Sequence, residues 1–270
     1  VIGNDSSAGR ITALRLVLAG WGAVNTAVTR FPGESFGVWY PDTFDRVLLD
    51  APCSMEGLRS LESHPMRPIS DGERLRLAGR QSAWLASALQ AVKVGGQVVY
   101  STCTLAPEED EAVLDAILRR YHDAVEVEDL RSKLPDLQPA LSADGEITFD
   151  PAVQRAARLW PHRYGTAGFF AARLRKLGTL TAEQELPPQR DWGKTGLARL
   201  RSREENALLD WFSGQYGFNL AQVLEKQRLG LWQRQAQVYA IAETWLDSFA
   251  GLPYQSLGLL VGEQTPGGFL

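Results

Sequence analysis

The chain contains few of the residues that crosslink small secreted proteins or bind metals. Its 270 residues include two cysteines and three histidines. Two cysteines do not make a disulfide framework, so we expect no disulfide and a protein of the reducing cytoplasm. The histidines His64, His122 and His162 show no ligand spacing with the cysteines, whereas a zinc site needs about four such ligands. We therefore expect no metal.

Long apolar runs and a strong net charge are also missing. No apolar run approaches the ~20 residues of a membrane-spanning helix, and no signal peptide or repeat is visible. We expect no membrane partner. The formal charge of −4 gives no overall attraction to nucleic acid, so contacts with RNA would have to come from local basic patches. An apolar share of 44% is ordinary for a globular protein.

The two ends of the chain look like interior segments of a longer protein. The chain begins on the strand-like segment 1–5 without an initiator methionine, and it ends soon after another strand-like segment, 256–261. We expect a fragment at both ends. We also expect a monomer.

Strand-like and helix-like segments alternate through the first two thirds of the chain. A helix is predicted from Ser6 or Ser7 to about Ala19, and another from Ser70 or Asp71 to about Val92. A third is expected to begin at Pro107. The strand-like segments are 24–31, 44–49, 97–100, 125–127 and 147–149. This alternation predicts an α/β fold with a mostly parallel sheet, in which the apolar strand 44–49 is buried on both faces.

The last third of the chain has a different character. A polar linker is predicted over 177–191, and it contains Pro187 and Pro188. After a short helix near 203–212, the region 223–270 looks strand-rich and contains several aromatic residues. We therefore predict a first domain over 1–176 and a small β-rich module over 192–270.

Each cysteine follows an apolar strand. Cys53 lies in the string DAPCS (50–54), and Cys103 lies in STCTL (101–105). Ligands bind at the carboxyl ends of strands in a parallel sheet, and neighbouring strands lie about 4.8 Å apart. Two thiols on one such rim indicate covalent chemistry, although a single cysteine after a strand is more often buried and inert. A helix starting near Pro107 would favour the thiolate of Cys103.

Two carboxylates also follow strands. Asp50 at the end of its apolar strand would be partly desolvated, an environment that favours the protonated carboxyl. Its alternative role is to cap a turn. Asp5 stands between a strand and a helix, where an acidic residue meets a ribose in dinucleotide-type folds, but helix capping by Asn4 or Asp5 explains it equally well. A loose basic set could contact phosphates or simply be solvated. Its members are Arg158, Arg163, Arg173, Arg175, Lys176, Arg199, Arg201 and Arg203.

The paired motifs resemble those of the Sun-type (NOL/NOP/Sun) RNA (cytosine-5) methyltransferases. The resemblance rests on DAPCS followed by Glu56 and Gly57, and on STCTL followed by 107–109. The segments 158–162 and 168–170 resemble the closing strands of that family, and the match covers residues 1 to about 176. More weakly, the tail resembles the RNA-binding, PUA-like extension of the bacterial small-subunit rRNA methyltransferase F subgroup.

The resemblance implies a Rossmann-like methyltransferase sheet that uses S-adenosylmethionine, with RNA as partner and rRNA preferred over tRNA. It implies that Cys103 is the nucleophile, that Asp50 contacts ring nitrogen 3 of cytosine, and that Cys53 assists release of the product. Asp5 would bind the ribose of the cofactor. The first strand and the glycine-rich cofactor loop would precede Val1, so we expect this chain alone to bind S-adenosylmethionine weakly and to have little activity.

Two positions depart from the family pattern. Pro32 stands where the family usually has an aspartate near the adenine, and Met55 replaces the glycine that usually follows DAPCS. These departures leave a second hypothesis open, a non-catalytic RNA-binding or assembly protein on a degenerate methyltransferase scaffold. The retained cysteines and Asp50 favour the enzyme.

Overall fold

The computed structural model describes residues 1–58, 68–132, 134, 136–180 and 183–270. The strands are β1 (Ile2–Asn4), β2 (Ala27–Thr29), β3 (Phe44–Asp50), β4 (Val92–Thr102), β5 (Val125–Glu128), β6 (Gln138–Pro139), β7 (Ala143–Asp144), β8 (Ile147–Thr148), β9 (Ala157–Leu159), β10 (Phe169–Lys176), β11 (Ala198–Arg199), β12 (Leu229–Arg234), β13 (Gln237–Ala242), β14 (Ser256–Leu257), β15 (Leu259–Thr265) and β16 (Gly268–Phe269). The helices are α1 (Ala8–Gly20), α2 (Ser35–Trp39), α3 (Asp71–Ala91), α4 (Glu111–Tyr121), α5 (Pro161–Tyr164), α6 (Ser202–Tyr216), α7 (Leu220–Gln227) and α8 (Glu243–Phe249).

The chain packs into two compact units. The core unit comprises Gly33–Leu186, and the split unit comprises Val1–Pro32 together with Pro187–Leu270. The domain boundaries expected from the sequence stay a prediction. No helix among the described residues is both long and apolar enough to cross a bilayer.

The sheet of the core unit is mixed rather than mostly parallel. Its strand order is β3-β4-β10-β9-β6, and β5 also pairs with β10. Among the described residues of this unit, β3 and β4 are the only parallel pair, whereas β10 is antiparallel to β4, β5 and β9. The short connection between β9 and β10 cannot return the chain to the start of the sheet, so these two strands must pair antiparallel. The expectation of a mostly parallel sheet was wrong for the strands that pair with β10.

The expectation that β3 is buried on both faces was also wrong. Among the described residues of the core unit, β3 pairs only with β4, and it forms an edge of the sheet. Its residues are exposed or half-buried, and Leu48 is 73% exposed. An apolar strand is buried on both faces only when elements cover it on both sides.

The core of this unit lies between the sheet and two helices. Leu85 and Leu89 of α3 and Leu114 of α4 are fully buried against sheet residues such as Tyr100. The start of α3 follows the sequence closely, because the side chain of Ser70 accepts a hydrogen bond from the backbone of Glu73.

Helix α4 begins at Glu111 rather than at Pro107. Residues 107–110 form a turn in which the N–H groups of Glu109 and Asp110 both donate to the carbonyl of Ala106. Asp110 has non-helical backbone angles, φ −108° and ψ −86°. This turn directs acidic side chains inward, and Glu109, Asp110 and Glu111 are all fully buried. These three acidic residues after Pro107 therefore lie in the interior of the fold.

The split unit contains both helices and strands, and the region 223–270, predicted to be strand-rich, holds the strands β12 to β16. The PUA-like nature of the tail stays a prediction. The sheets of this unit have the orders β1-β2-β14 and β11-β12-β13-β15-β16. Helices α6 and α7 place Leu208 and Leu224 in a core with Leu231 and Val238 of the second sheet. The apolar residues of α7 recur at helical spacing, which favours a helix. The sequence-based prediction did not include this helix.

Arg158 of β9 is fully buried and contacts the three buried acidic residues Glu109, Asp110 and Glu111, here called the acidic turn, through the last two of them. Its Nε and Nη2 donate to the carboxylate of Glu111 at 2.6 and 2.5 Å, and its Nη1 donates to the carbonyl of Leu105 at 2.9 Å. Nη2 also lies 3.5 Å from Oδ2 of Asp110. Burial raises the pKa of Asp110 well above its ordinary value, which shows how little solvent reaches this pair.

We predict that Arg158→Met lowers the free energy of unfolding by about 3–5 kcal/mol, because it leaves buried carboxyl groups without their cation. Urea denaturation measures the change. Arg119→Met is the matched control, because Arg119 pairs with Asp115 on the exposed side of α4 and should lose about 0.5 kcal/mol at most. Equal losses in the two variants would contradict the prediction.

Candidate active site

The parallel pairing of β3 and β4 brings two sequence motifs to one edge of the sheet. The register places Asp50 opposite Ser101, so both strands end at the same level. The N–H of Ala51 donates to the carbonyl of Ser101 at 2.9 Å and extends the pairing by one residue. The loops that carry Cys53 and Cys103 therefore leave the sheet side by side.

The two cysteine side chains face each other. Their sulfur atoms lie 3.3 Å apart, within hydrogen-bonding distance. Both are free thiols, and both residues are half-buried. The structure thus brings together two of the four residues that the sequence singled out for chemistry, at a distance where one sulfur can donate a hydrogen to the other.

The shared hydrogen separates the acidities of the two thiols. The hydrogen bond from Cys53 lowers the pKa of Cys103 to about 7, although burial and the charges of Asp50 and Glu109 oppose the ionisation. The same hydrogen bond, together with burial, raises the pKa of Cys53. At neutral pH the negative charge of the pair therefore resides on Cys103, which is the nucleophilic form of a cysteine.

The cause of this acidity differs from the predicted one. The expected helix start near Pro107 is absent, because α4 begins only at Glu111. The thiolate of Cys103 is stabilised by a neighbouring thiol rather than by a helix dipole.

The two motif loops are joined by direct contacts. The hydroxyl oxygens of Ser54 and Thr104 lie 2.8 Å apart. The N–H of Gly57 donates to the carbonyl of Cys103 at 3.1 Å, and the carbonyl of Gly57 accepts from Gly168 at 2.6 Å. A Cβ atom on Gly57 would lie 2.7 Å from the carbonyl oxygen of Cys103. Only glycine permits this close approach of the two backbones.

The sequence did not reveal several residues that hold these loops. Gln81 and Glu109 contact the backbone on either side of Cys53, and Arg74 donates to both carboxylate oxygens of Glu56 at 3.0 Å. Glu56 also accepts from the hydroxyl of Ser54. Gln81 and Arg74 lie on α3, far along the chain from the motifs, and no local pattern marks them. Glu109 lies in the segment 107–109 that follows STCTL and that the family resemblance used, so its position was a usable signal.

Asp50 lies on the same rim but in a different environment from the expected one. The residue is exposed rather than partly desolvated, because β3 is an edge strand among the described residues. The hydroxyl of Ser101 reaches its Oδ1 at 3.5 Å, a weak contact. The carboxylate is therefore free to contact a ligand at the rim.

Met55 occupies a backbone conformation that suits glycine. Its φ is 61°, in the left-handed region, and its side chain is 55% exposed. Since glycine adopts this region without steric penalty, the methionine departs from the family pattern while keeping the loop geometry that a glycine would give. The other departure, Pro32, lies in the split unit and is exposed.

Asp5 belongs to the split unit, immediately after β1. Its carboxylate accepts from Nε of Arg10 at 2.7 Å and from the N–H of Ser7 at 2.7 Å. Burial opposes ionisation, but these hydrogen bonds outweigh it and lower the pKa of Asp5. Asn4 beside it holds the segment after β2, because its side chain bonds both the N–H and the carbonyl of Phe31.

Most of the basic residues near 155–176 are committed to internal ion pairs. Arg158 and Lys176 are fully buried, and Arg173 and Arg175 both contact the carboxylate of Glu128. Of that part of the basic set, Arg163 is exposed. The hypothesis that this cluster contacts phosphates is therefore not supported by its geometry.

No group of three or more potential metal ligands occurs among the described residues. His122 is exposed beside Asp123. His64 lies outside the described residues.

We predict that alkylation of Cys103 by iodoacetamide has a pH midpoint near 7, as its lowered pKa requires. Cys53→Ala removes the stabilising donor, so the midpoint should rise toward the ordinary thiol value of about 8.5. Peptide mass spectrometry at a series of pH values follows each site. A midpoint that stays near 7 in Cys53→Ala would refute the shared hydrogen bond.

Comparison with known proteins gives consistent matches. A family model described as 16S rRNA methyltransferase RsmB/F matches residues 1–175. Ribosomal RNA small subunit methyltransferase F of Erwinia tasmaniensis is 32% identical over 277 residues, and that of Salmonella arizonae is 33% identical over 270 residues. Each match covers 100% of this chain and 52% of the relative. The chain thus spans about half the length of these relatives.

Solved structures agree with this assignment. A methyltransferase homologue from Pyrococcus horikoshii is 31% identical, with a TM-score of 0.54, over 65% of this chain and 53% of that chain. NSun6 from Pyrococcus horikoshii, solved with SFG, is 26% identical, with a TM-score of 0.50, over 66% of this chain and 41% of that chain. The fold is the Rossmann-like methyltransferase fold that the motifs implied, and the chain belongs to the RsmB/F family of 16S rRNA methyltransferases.

Proposed function

We propose that this chain carries the catalytic residues of an S-adenosylmethionine-dependent RNA (cytosine-5) methyltransferase that acts on ribosomal RNA. The observation that supports this most directly is the pair of sulfurs 3.3 Å apart on the rim that also carries Asp50. A nucleophile and a carboxylate on one rim are groups that methylation of an unreactive ring carbon can use, and a second thiol beside the nucleophile can assist its release.

The chemistry follows from the poor nucleophilicity of carbon 5 in cytosine. The Cys103 thiolate adds to carbon 6 as ring nitrogen 3 takes up a proton that it later returns, and we assign to Asp50 the hydrogen bond that holds this nitrogen. Carbon 5 then carries electron density enough to attack a methyl group. A base removes the proton from carbon 5, the bond between carbon 6 and sulfur breaks, and Cys103 leaves as a thiolate. We assign to Cys53 the role of assisting this release.

The cofactor supplies an electrophilic methyl group, and the residues of the split unit fit its ribose. Asp5 stands at the carboxyl end of β1, where an acidic residue contacts ribose hydroxyls in related folds. Its ionised carboxylate has acceptor capacity beyond the bonds from Arg10 and Ser7. Arg10 would keep the carboxylate oriented.

The names of the relatives support ribosomal RNA as the substrate, in preference to tRNA. The alternative, a non-catalytic RNA-binding protein on the same scaffold, is not favoured. A scaffold without catalysis has no need to hold two thiols in contact or to lower the pKa of one of them.

A surface of the split unit supports RNA binding by the C-terminal region. We define the C-terminal basic face as Arg190, Trp192, Lys194, Arg234 and Tyr239. The guanidinium of Arg234 lies 5.4 Å from the ring of Tyr239. Lys194 and Arg234 are exposed, and none of the three cations forms an ion pair within the described part of the chain. Cations beside aromatic rings are the composition that phosphates and unstacked bases bind.

Direct contacts join residues of this face to each other and to neighbouring aromatic rings. The rings of Trp192 and Trp232 are 5.4 Å apart, and Nη2 of Arg190 donates to the carbonyl of Lys194 at 3.4 Å. Arg190 also lies over the ring of Tyr254 at 5.5 Å. Burial raises the pKa of Tyr254, while the charges of both Arg190 and Arg234 oppose that shift. Each arginine thus lies over a different tyrosine ring, Arg190 over Tyr254 and Arg234 over Tyr239.

We predict that Cys103→Ala abolishes methyl transfer, whereas Cys53→Ala accumulates a covalent protein–RNA adduct, because attack proceeds and release fails. The full-length gene product is incubated with rRNA and S-adenosylmethionine and run on a denaturing gel. The double variant should form no adduct. An adduct with Cys103→Ala and none with Cys53→Ala would reverse the assignment of the two thiols.

We predict that the double variant Arg190→Gln, Arg234→Gln weakens binding to a single-stranded rRNA fragment about tenfold at 0.1 M salt. The slope of log K against log salt should fall by about 0.7 for each phosphate contact removed. The control is Arg203→Gln with Lys226→Gln, which removes the same charge from exposed positions on α6 and α7. Equal losses in the two double variants would show a general charge effect and no defined face.

A further inference from the structure

The backbone on both sides of Cys53 is held by two buried side chains. Oε2 of Glu109 accepts from the N–H of Ser54 at 3.0 Å. Nε2 of Gln81 donates to the carbonyl of Pro52 at 3.0 Å and to the same Oε2 of Glu109 at 2.8 Å. The peptide group before Cys53 and the peptide group after it are therefore both hydrogen-bonded to one linked pair, the Gln81–Glu109 clamp.

The clamp is a poor choice for stability alone. Both residues are fully buried, and Glu109 forms no ion pair with any described residue. Oε1 of Glu109 and Oε1 of Gln81 have no hydrogen-bond partner among the residues that the structure describes. Burying polar atoms in this way costs about 1–3 kcal/mol for each unsatisfied atom, whereas two apolar side chains would fill the same space at no such cost. A polar pair retained here indicates a requirement other than packing.

The loop that the clamp holds needs such support. Met55, two residues after Cys53, has a φ of 61°, and a non-glycine residue persists in that region only where its surroundings fix it. The clamp is itself anchored to β4, because the hydroxyl of Tyr100 donates to the carbonyl of Glu109 at 2.6 Å. Glu109 thus connects a rigid strand to the loop of Cys53.

We propose that Glu109 and Gln81 are positioning residues that fix the Cys53 loop so that its thiol points at Cys103. The thiol contact follows from the geometry alone. Its consequence for catalysis, that the clamp orients Cys53 for release of the methylated product, rests on the proposed function.

The first test measures the thiols and needs no methyl transfer. In Glu109→Leu the acceptor is lost and Cys53 is released, so Cys103 loses its donor. Alkylation of Cys103 at pH 7 should slow about fivefold, the effect of a pKa that rises by about one unit from 7. Removing only the negative charge of Glu109 would act in the opposite direction, because that charge opposes ionisation of Cys103. The sign of the change therefore separates positioning from electrostatics.

Three further variants complete this test. Glu109→Gln keeps an acceptor oxygen without the charge, so alkylation should stay at the wild-type rate or become faster. Gln81→Met removes the donor from α3 and should slow alkylation as Glu109→Leu does, which keeps the test open if Glu109→Leu fails to fold. Glu126→Leu is the matched control, since Glu126 on β5 contacts Arg175 at 3.6 Å, takes no part in holding the motif loops and should leave the rate unchanged. Unchanged or faster alkylation in both Glu109→Leu and Gln81→Met would overturn the proposal.

The second test addresses release in the full-length gene product. With rRNA and S-adenosylmethionine, Glu109→Leu and Gln81→Met should accumulate the same covalent adduct as Cys53→Ala, with a lowered kcat and an unchanged KM for RNA. If Cys53→Ala accumulates the adduct but neither Glu109→Leu nor Gln81→Met does, the clamp does not orient Cys53 for release, and the catalytic part of the proposal is overturned. If no variant gives an adduct, including Cys53→Ala, the proposed function fails, while a slowed alkylation would still establish the clamp.

Discussion

The parallel pairing of β3 with β4 is the constraint on which the candidate site depends. Parallel strands end at the same edge of a sheet, and the register of this pair sets Asp50 level with Ser101. Two short loops must then leave the rim side by side, and their cysteine sulfurs come within 3.3 Å. A slip of one residue would turn Asp50 to the opposite face of the sheet. The chemistry assigned to the thiols thus follows from a ladder of backbone hydrogen bonds.

Contact between the thiols gives the two cysteines unequal roles. A pair that shares one hydrogen ionises first at the sulfur that is better stabilised as an anion, and here that sulfur belongs to Cys103. Cys53 keeps its hydrogen and is held by buried neighbours from α3 and from the acidic turn. The proposed nucleophile is thereby activated by a neighbouring thiol. The activity assigned to such a pair remains the proposal stated above.

Buried charge is concentrated beneath this rim. The acidic turn Glu109, Asp110 and Glu111 is fully buried and is met by the buried guanidinium of Arg158. This arrangement ties the loop after Cys103 to β9, because Arg158 also binds the carbonyl of Leu105. Most of the basic residues between 155 and 176 that look available for RNA in the sequence are therefore used inside the fold. The exposed cations proposed to contact RNA lie in the C-terminal region.

The sequence by itself determined the features that depend on residues close together in the chain. Helix starts at Ser7 and Ser70 follow from local capping, and the apolar strands before DAPCS and STCTL and the family were readable from short motifs. Tertiary structure alone decided that Asp50 is exposed, that Glu109 points inward and that a neighbouring thiol makes Cys103 acidic. It also decided that the sheet is mixed. These features depend on contacts between residues about 50 positions apart, such as Cys53 with Cys103, and no local pattern encodes which distant groups will meet.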